Sequence, residues 1–416
     1  MNDQSEKRTR NKGALFIIDG SITDPILSSQ GFPHLARLAD GGYPVYVLSI
    51  ETEYNEFEEQ AYDEVMRRYS RTLHFLSVTL LPKWLMKVAL QKLVLGPIVT
   101  MFCVLRYGCG IIHARSYIPC FVGLPAKWVL GTKLIFDMRG LMIDELISNG
   151  KLDERKLWAR FLRYWEKRAI LSADEIVVVS ERFKEHISNL PYTRGRRLKI
   201  TVIPNCVDFE QYVVRTTLRD EAIAKYLLSQ RPVLVYSGSL TSWQSCETIA
   251  RFFAALRHQV SDAFLLLVTY DDRNELRAWL QKLGVPDRDY AFVRAIPADV
   301  PTYLSLGHAG ILFRKDELLN RVASPLKFAE YLAAGVPVLL TPGVGDTQDL
   351  VAAGQVGLIV GVFSEQELKE TAVRVAQFLR EDRSAISARC RATAREQFSL
   401  PMAIKKYHDI YQNISA

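Results

Sequence analysis

The segment SPLKFAEYLAAGVPVLLTPG (324–343) carries residue types suited to holding a phosphorylated ligand. Ser324 is a good helix N-cap and Pro325 suits the first helical position. The pattern predicts a helix from Pro325 to Ala334, stopped at Gly335, a residue favoured just past a helix C-terminus. Backbone N–H groups and the positive end of the dipole make such an N-terminus an anion site. Lys327 adds a full charge in the first turn, and Glu330 lies one turn further on the same side. Pyrophosphate at the N-terminus, with Glu330 accepting from a ribose diol, is a coherent geometry. A well-capped surface helix with a Lys–Glu pair accounts for the same residues equally well.

Other positions follow apolar runs. Gly238-Ser239 comes directly after VLVYS, where a glycine lets a ligand approach the backbone or simply forms a strand-to-helix turn. Asp137-Met138-Arg139 follows KLIF and reads as a sugar or acceptor contact or, equally, as a structural Asp–Arg pair. His113 ends GIIHA and is either ligand-facing or a plain strand-end residue. Asp287-Arg288-Asp289 sits in a polar turn and reads as a solvated loop, not a metal–diphosphate site. The Ser324-x-x-Lys327 pair lacks the Ser-Asp-Asn and Lys-Thr-Gly companions of acyl-enzyme chemistry. There is no GxGxxG, GxxxxGK[ST] or HExxH. The six cysteines form no CxxC pair and no metal-ligand cluster.

These residues need a scaffold, and the chain supplies a regular one. VLVYS (233–237), FLLLVT (264–269), AGILF (309–313), PVLL (337–340) and GLIVG (357–361) alternate with helical patterns such as 247–260 and 275–284. ALFII (14–18), YPVYVLS (43–49), GIIHA (110–114), KLIFD (133–137) and EIVVVS (175–180) repeat the scheme earlier in the chain. Continuous apolar strands alternating with helices predict doubly wound α/β domains with parallel sheets. Ligands of such sheets bind beyond the C-terminal strand ends, so a cleft between two domains is the expected site.

Composition supports a globular chain: 49% of the 416 residues are hydrophobic and 24% charged. The net charge is +7, and its distribution is uneven. Residues 66–136 contain no Asp or Glu but ten Lys and Arg, namely five up to Lys87 and five from Lys92 onward. Within that stretch, 83–96 predicts a helix with Lys83, Lys87 and Gln91 on one face and Trp84, Leu85 and Val88 elsewhere. A basic amphipathic helix with a tryptophan suits an anionic membrane surface; a core-packed helix with a solvated lysine edge is the plainer reading. The longest apolar run, Leu93 to Leu105, is shorter than the roughly 18 residues a membrane span needs. The apolar run Ala14–Ile18 is too short for a signal-peptide core, so a cytoplasmic protein, peripheral on the inner membrane face, is expected. No nucleic-acid module is recognisable.

Taken together, these pieces resemble the family-4 retaining glycosyltransferases of the GT-B fold. SADEIVVVSERFKEHI (172–187) is similar to the family's stretch at the end of the first domain. VIPNCVD (202–208) resembles its entry to the second, with Cys206 in place of the usual glycine. VYSGSL (235–240) resembles the first donor-domain strand and loop, and 292–313 the segment around the base. SPLKFAEYLAAGVPVLL resembles the donor-phosphate and ribose helix, and 398–414 the last helix.

The resemblance implies two Rossmann-like domains facing across a cleft. An acceptor domain covers 1–205, a donor domain 206–397, and a final helix, 398–416, crosses back to the first. It implies retaining transfer of a sugar from a nucleoside-diphosphate donor; the acid-free stretch makes a lipid-linked or glycan acceptor the expected one, and the available cations make a cofactor or metal unnecessary. An epimerase-like enzyme of the same fold and a non-catalytic nucleotide-sugar binder are the alternatives. By position, Glu330 would hold the ribose, and Ser324, Pro325, Leu326 and Lys327 would lie at the diphosphate. Gly238 and Ser239 would line the leaving-group side, and Ile296 would lie near the base. Val322 replaces the family's first glutamate, and TSWQSCE (241–247) lacks its basic residue. Lys327, Arg314 or Arg321 must then carry the phosphate charge, which makes Lys327, Glu330 and Arg314 the candidate catalytic residues. Asp137, Arg139 and His113 are the candidate sugar or acceptor contacts.

Overall fold

The computed structural model describes residues 13–24, 27, 30–51, 59–79, 88–210, 212–240 and 246–415. The chain divides into two compact units. The first takes residues up to Val179, Lys184–Ile203 and Ala403–Ala416; the second takes Ser180–Phe183 and Pro204–Met402.

In chain order the early elements are β1 (Gly13–Asp19), α1 (Phe32–Asp40), β2 (Val45–Glu51), α2 (Glu59–Tyr69), β3 (Leu73–Thr79), α3 (Val88–Tyr107) and β4 (Cys109–Arg115). Then come α4 (Tyr117–Leu130), β5 (Lys133–Asp137), α5 (Met142–Ser148), α6 (Leu157–Ser172), β6 (Glu175–Val178), α7 (Glu181–Ser188) and β7 (Ile200–Val202). The seven strands form one sheet in the order β3-β2-β1-β4-β5-β6-β7, with parallel pairing throughout.

The later elements begin with α8 (Thr216–Tyr226), β8 (Val233–Ser237), α9 (Cys246–Arg257), β9 (Phe264–Val268), α10 (Asn274–Lys282), β10 (Tyr290–Val293), α11 (Val300–Leu304) and β11 (Ala309–Leu312). They continue with α12 (Leu318–Arg321), α13 (Leu326–Ala333), β12 (Val338–Leu340), α14 (Thr347–Gly354), β13 (Gly357–Ile359), α15 (Glu365–Phe378), α16 (Arg383–Phe398) and α17 (Leu400–Ser415). The second sheet, ordered β10-β9-β8-β11-β12-β13, is also parallel. VLVYS and FLLLV are buried along their whole length because helices cover both sheet faces. This is the doubly wound α/β class that the continuous apolar runs predict.

One contact sets the centre of the second sheet. A Cβ on Gly310 of β11 would lie 2.6 Å from the Tyr331 ring, so glycine is what lets α13 lie flat on the strand. The Tyr331 hydroxyl accepts the Ser237 N–H at 2.9 Å and donates to the Ile311 carbonyl at 3.3 Å. The β8–β11 ladder is short, pairing Leu234 with Ala309 and Val235 with Gly310. Tyr331 therefore serves backbone groups where the two strands part.

Two sequence expectations change. Asp287–Asp289 forms a 3-10 turn, and Asp289 is not solvated: it is buried against the Arg231 and Arg257 guanidinium groups at 2.6 and 2.7 Å. Gln91, expected on a polar helix face, is fully buried. Gly96 approaches Val122 of α4 so closely that a Cβ would sit 2.8 Å from it, which lets α3 and α4 pack tightly. Lys83, Trp84, Leu85 and Lys87 fall outside the described residues, as do 241–245. Among the described residues, no helix is long and apolar enough to cross a membrane.

Candidate functional site

In the second unit the strand order reverses between β8 and β11, the place where open parallel sheets bind ligands at their C-terminal strand ends. Four sequence candidates converge there. Gly238 follows β8 with φ +107, a conformation that favours glycine. A Cβ at Gly238 would lie 3.3 Å from Lys327 Nζ, so the bare backbone leaves room for the ammonium. Lys327 is buried and reaches over the Tyr236 ring, with Nζ 4.2 Å from the ring centre. Burial holds the Lys327 ammonium well below the usual lysine range; Arg314 adds to this, and Glu330 opposes it.

Glu330, one turn along α13, is half-buried. Burial raises its carboxyl to about 6 against the opposing pull of Lys327. Tyr212 donates its hydroxyl to the Glu330 carbonyl at 2.7 Å, fixing this turn of the helix. Arg314 follows β11 and is locked by Thr341, whose Oγ1 accepts the Arg314 N–H at 2.8 Å and donates back to its carbonyl at 2.7 Å. Its Nη1 donates to Asn320 Oδ1 at 3.3 Å, while its Nε is buried without a hydrogen-bond partner among the described residues. Burial lowers the Arg314 pKa, as it does that of Lys327. Two desolvated cations and a carboxylate thus stand at the switch point. This arrangement stabilises negative charge more strongly than exposed cations can.

The remaining donor candidates are placed differently. The helix begins at Leu326, with Pro325 at the N-cap position and no side-chain cap. Ser324 is not the N-cap, because its Oγ accepts the Asn205 N–H at 3.2 Å and its carbonyl accepts Asn205 Nδ2 at 2.6 Å. The PN pair of VIPNCVD thereby anchors the start of α13. The Ser239 carbonyl accepts the Tyr236 hydroxyl. Ile296 is exposed in the loop after β10, its carbonyl accepting the Asp299 N–H at 2.9 Å. Val322 is buried, and its carbonyl accepts the Ser180 hydroxyl at 2.8 Å. Arg321 is committed on the surface to Asp316 at 2.6 Å. Gly335 has φ +76, as the end of a helix demands.

The first unit gathers the other three candidates at the C-terminal ends of β4 and β5. Asp137 accepts from Tyr407 at 3.1 Å and lies 3.3 Å from Arg139, 3.5 Å from Arg115 and 3.6 Å from His113 Nε2. Burial alone would raise the Asp137 carboxyl, but Arg139, the His113 hydrogen bond and Arg115 outweigh it and hold it well below the usual range. His113 shares a 2.9 Å hydrogen bond between Nδ1 and the Tyr411 hydroxyl, and burial lowers its pKa. The His34 ring stacks on Tyr407 at 4.1 Å. Asp137 and His113 are wholly buried, so the expectation that they touch an acceptor does not hold. They position Arg115 and Arg139, whose side chains retain some exposure.

Sequence reading missed Tyr236, Tyr331, Tyr212 and Asn205 in one unit, and Arg115, Tyr407 and Tyr411 in the other. Arg115, ending GIIHAR, carried a usable signal as a charge directly after an apolar strand. Among the described residues, no group of three His, Cys, Asp or Glu could hold a metal ion.

Two family descriptions match the chain: Glycosyltransferase Family 4 over residues 34–211 and Glycosyl transferases group 1 over 231–377. A putative teichuronic acid biosynthesis glycosyltransferase, TuaH of Bacillus subtilis (strain 168), is 30% identical over 176 residues. That match spans 42% of this chain and 42% of the relative, less than half the relative's length. Among solved structures, a glycosyltransferase from Rickettsia africae ESF-5 superposes with a TM-score of 0.72 at 17% identity, covering 97% of this chain and 99% of that one. Anabaena HepE in complex with UDP gives 0.68 at 15% identity, covering 96% and 100%.

Proposed function

This chain belongs to the GT-B glycosyltransferases of the family-4, group-1 type, and from that premise we propose that it moves a sugar from a nucleoside-diphosphate donor to a lipid-linked or glycan acceptor with retention of configuration. The observation that carries the reading is the pairing of Lys327 and Arg314 beside Gly238 at the β8–β11 switch point. Sugar transfer builds negative charge on the departing diphosphate, and preplaced, desolvated cations stabilise that charge most at the transition state. Glu330, as a carboxylate, accepts from the ribose hydroxyls and orients the nucleotide. Lys327 and Arg314 together supply the phosphate charge that the 241–247 loop, lacking Lys and Arg, does not.

HepE binds UDP and UDP-glucose, which makes UDP-sugars the first donors to test. In the first unit Arg115 and Arg139, held by Asp137, form the acceptor side of the reading. The acid-free stretch 66–136 supports contact with an anionic membrane where a lipid-linked acceptor resides, and so a place on the cytoplasmic face. Release of nucleoside diphosphate, assayed across UDP-, GDP- and ADP-sugars with a membrane-lipid extract as acceptor, tests the function. Transfer supports it. Free epimerised sugar with no transfer points to an epimerase, and donor binding without turnover to a non-catalytic relative.

A further inference from the structure

The outer helix layer of the first unit is unlike an ordinary protein surface. Helix α4 packs against both α3 and α6, and the three helices cover one face of the sheet. On the solvent side of α3, Val94, Ile98, Phe102 and Leu105 are 47–69% exposed and recur at helical spacing. A water-facing helix normally carries polar residues there; this one presents an unbroken apolar stripe. The end of α4 adds exposed Trp128 and Val129. Helix α6 adds exposed Trp158, Phe161 and Tyr164.

The charge on the three helices themselves is almost all of one sign. The sequences of α3, α4 and α6 contain a single acid, Glu166. It is buried and committed to Tyr117 at 2.9 Å and Arg163 at 3.0 Å. Arg106, Arg160, Lys167 and Arg168 are exposed among the apolar groups, and the Arg168 guanidinium lies 5.2 Å over the Trp128 ring. Lysine and exposed like charge are depleted at the centres of protein interfaces, whereas Trp and Tyr ringed by Lys and Arg suit the boundary between acyl chains and anionic headgroups.

We propose that the α3–α4–α6 face docks on an anionic lipid bilayer, with the α3 stripe entering the acyl boundary and the α6 aromatic–arginine belt holding the headgroups. The proposal deepens the membrane reading above and rests on it, but relocates the contact. Its anchors are Val94, Ile98, Phe102 and Leu105, further along α3 than Gln91, and it recruits α6, which lies beyond the acid-free stretch.

The test is sedimentation of the full chain with phosphatidylcholine vesicles and with vesicles containing phosphatidylglycerol. The wild type should partition strongly to the anionic vesicles, with a blue shift of tryptophan emission. Ile98→Ser/Phe102→Ser/Leu105→Ser and Arg160→Glu/Lys167→Glu/Arg168→Glu should each lose at least about tenfold of that partition. Both replace exposed side chains, so each should keep the wild-type melting temperature and donor hydrolysis. Wild-type binding that both variants retain would overturn this face while leaving membrane contact standing. No wild-type binding to either vesicle would overturn both readings. A wild-type dimer that the α3 variant converts to monomer, without vesicle binding, would instead assign the face to a second copy of the chain.

Discussion

The Lys327 ammonium sits 4.2 Å from the centre of the Tyr236 ring, at the point where β8 and β11 part. The ring's negative face helps hold the cation in place. Replacing Lys327 with Ala removes a buried cation that, in the proposed function, faces the donor diphosphate. Turnover should fall by about 100-fold or more, on the scale of losing one preorganised electrostatic group. Lys327→Arg should not restore it, because the guanidinium is too large for the space that Gly238 leaves. Steady-state kinetics with the preferred donor would check both.

Gly238→Ala tests the same space from the other side. The substitution forces a side chain into φ +107 and puts a Cβ 3.3 Å from Lys327 Nζ. Strain of this kind costs about 1–3 kcal/mol. The melting temperature should drop, and donor affinity should weaken more than affinity for the free acceptor.

Tyr331→Phe deletes the hydroxyl that serves Ser237 N–H and Ile311 C=O while keeping the ring packed on Gly310. Leaving buried backbone groups unserved costs about 1–3 kcal/mol. Denaturant unfolding should show that loss. A stability equal to wild type would mean that the hydroxyl bridge contributes nothing.

Donor binding should be bell-shaped in pH. In the proposed function Glu330 accepts from hydroxyls as a carboxylate, so affinity should fall as pH drops through about 6. In the same reading Lys327 holds phosphate as an ammonium, and its pKa is lowered, so affinity should also fall as pH rises, well before the ordinary lysine value of about 10.4. Calorimetric titration with a nucleoside-diphosphate sugar, whose phosphates have no proton titrating near about 6, should show the acid limb gone and the alkaline limb kept in Glu330→Gln.

Asp137→Ala would remove the buried carboxylate that holds Arg115 and Arg139, a loss of about 3–5 kcal/mol. The wild-type linkage has a definite sign. Asp137 is depressed, so its contribution is complete above the unfolded value of about 3.9 and is lost only as pH falls toward its lower folded value. His113 is also depressed, so the unfolded chain takes up its proton first, and stability should decline below about pH 6.5. Thermal melts between neutral and mildly acidic pH would show that decline.

Much of this was legible from residue patterns. VLVYS and FLLLV could only be strands covered on both faces, and Ser324 to Gly335 bounded a helix to within two residues at either end. The tyrosines were not legible, because Tyr236 reads as one more apolar strand residue and Tyr331 as one more position on a helix's buried face. Nor could Tyr407 be paired in advance with Asp137, 270 positions earlier, since no local pattern links them. The start of α13 was read with Ser324 as its cap because a cap serine looks the same whether its oxygen serves its own helix or Asn205. The apolar stripe of α3 was hidden for a related reason: a helix apolar on all sides gives no periodicity to say which side meets water.

The most direct test is nucleoside-diphosphate release from UDP-, GDP- and ADP-sugars by the wild type and by Lys327→Ala in parallel. We expect one base class to support turnover in the wild type, reduced about 100-fold or more in the variant. Absence of turnover with every donor, or equal turnover in the two proteins, would contradict the assignment of the donor site to Lys327 at the β8–β11 switch point.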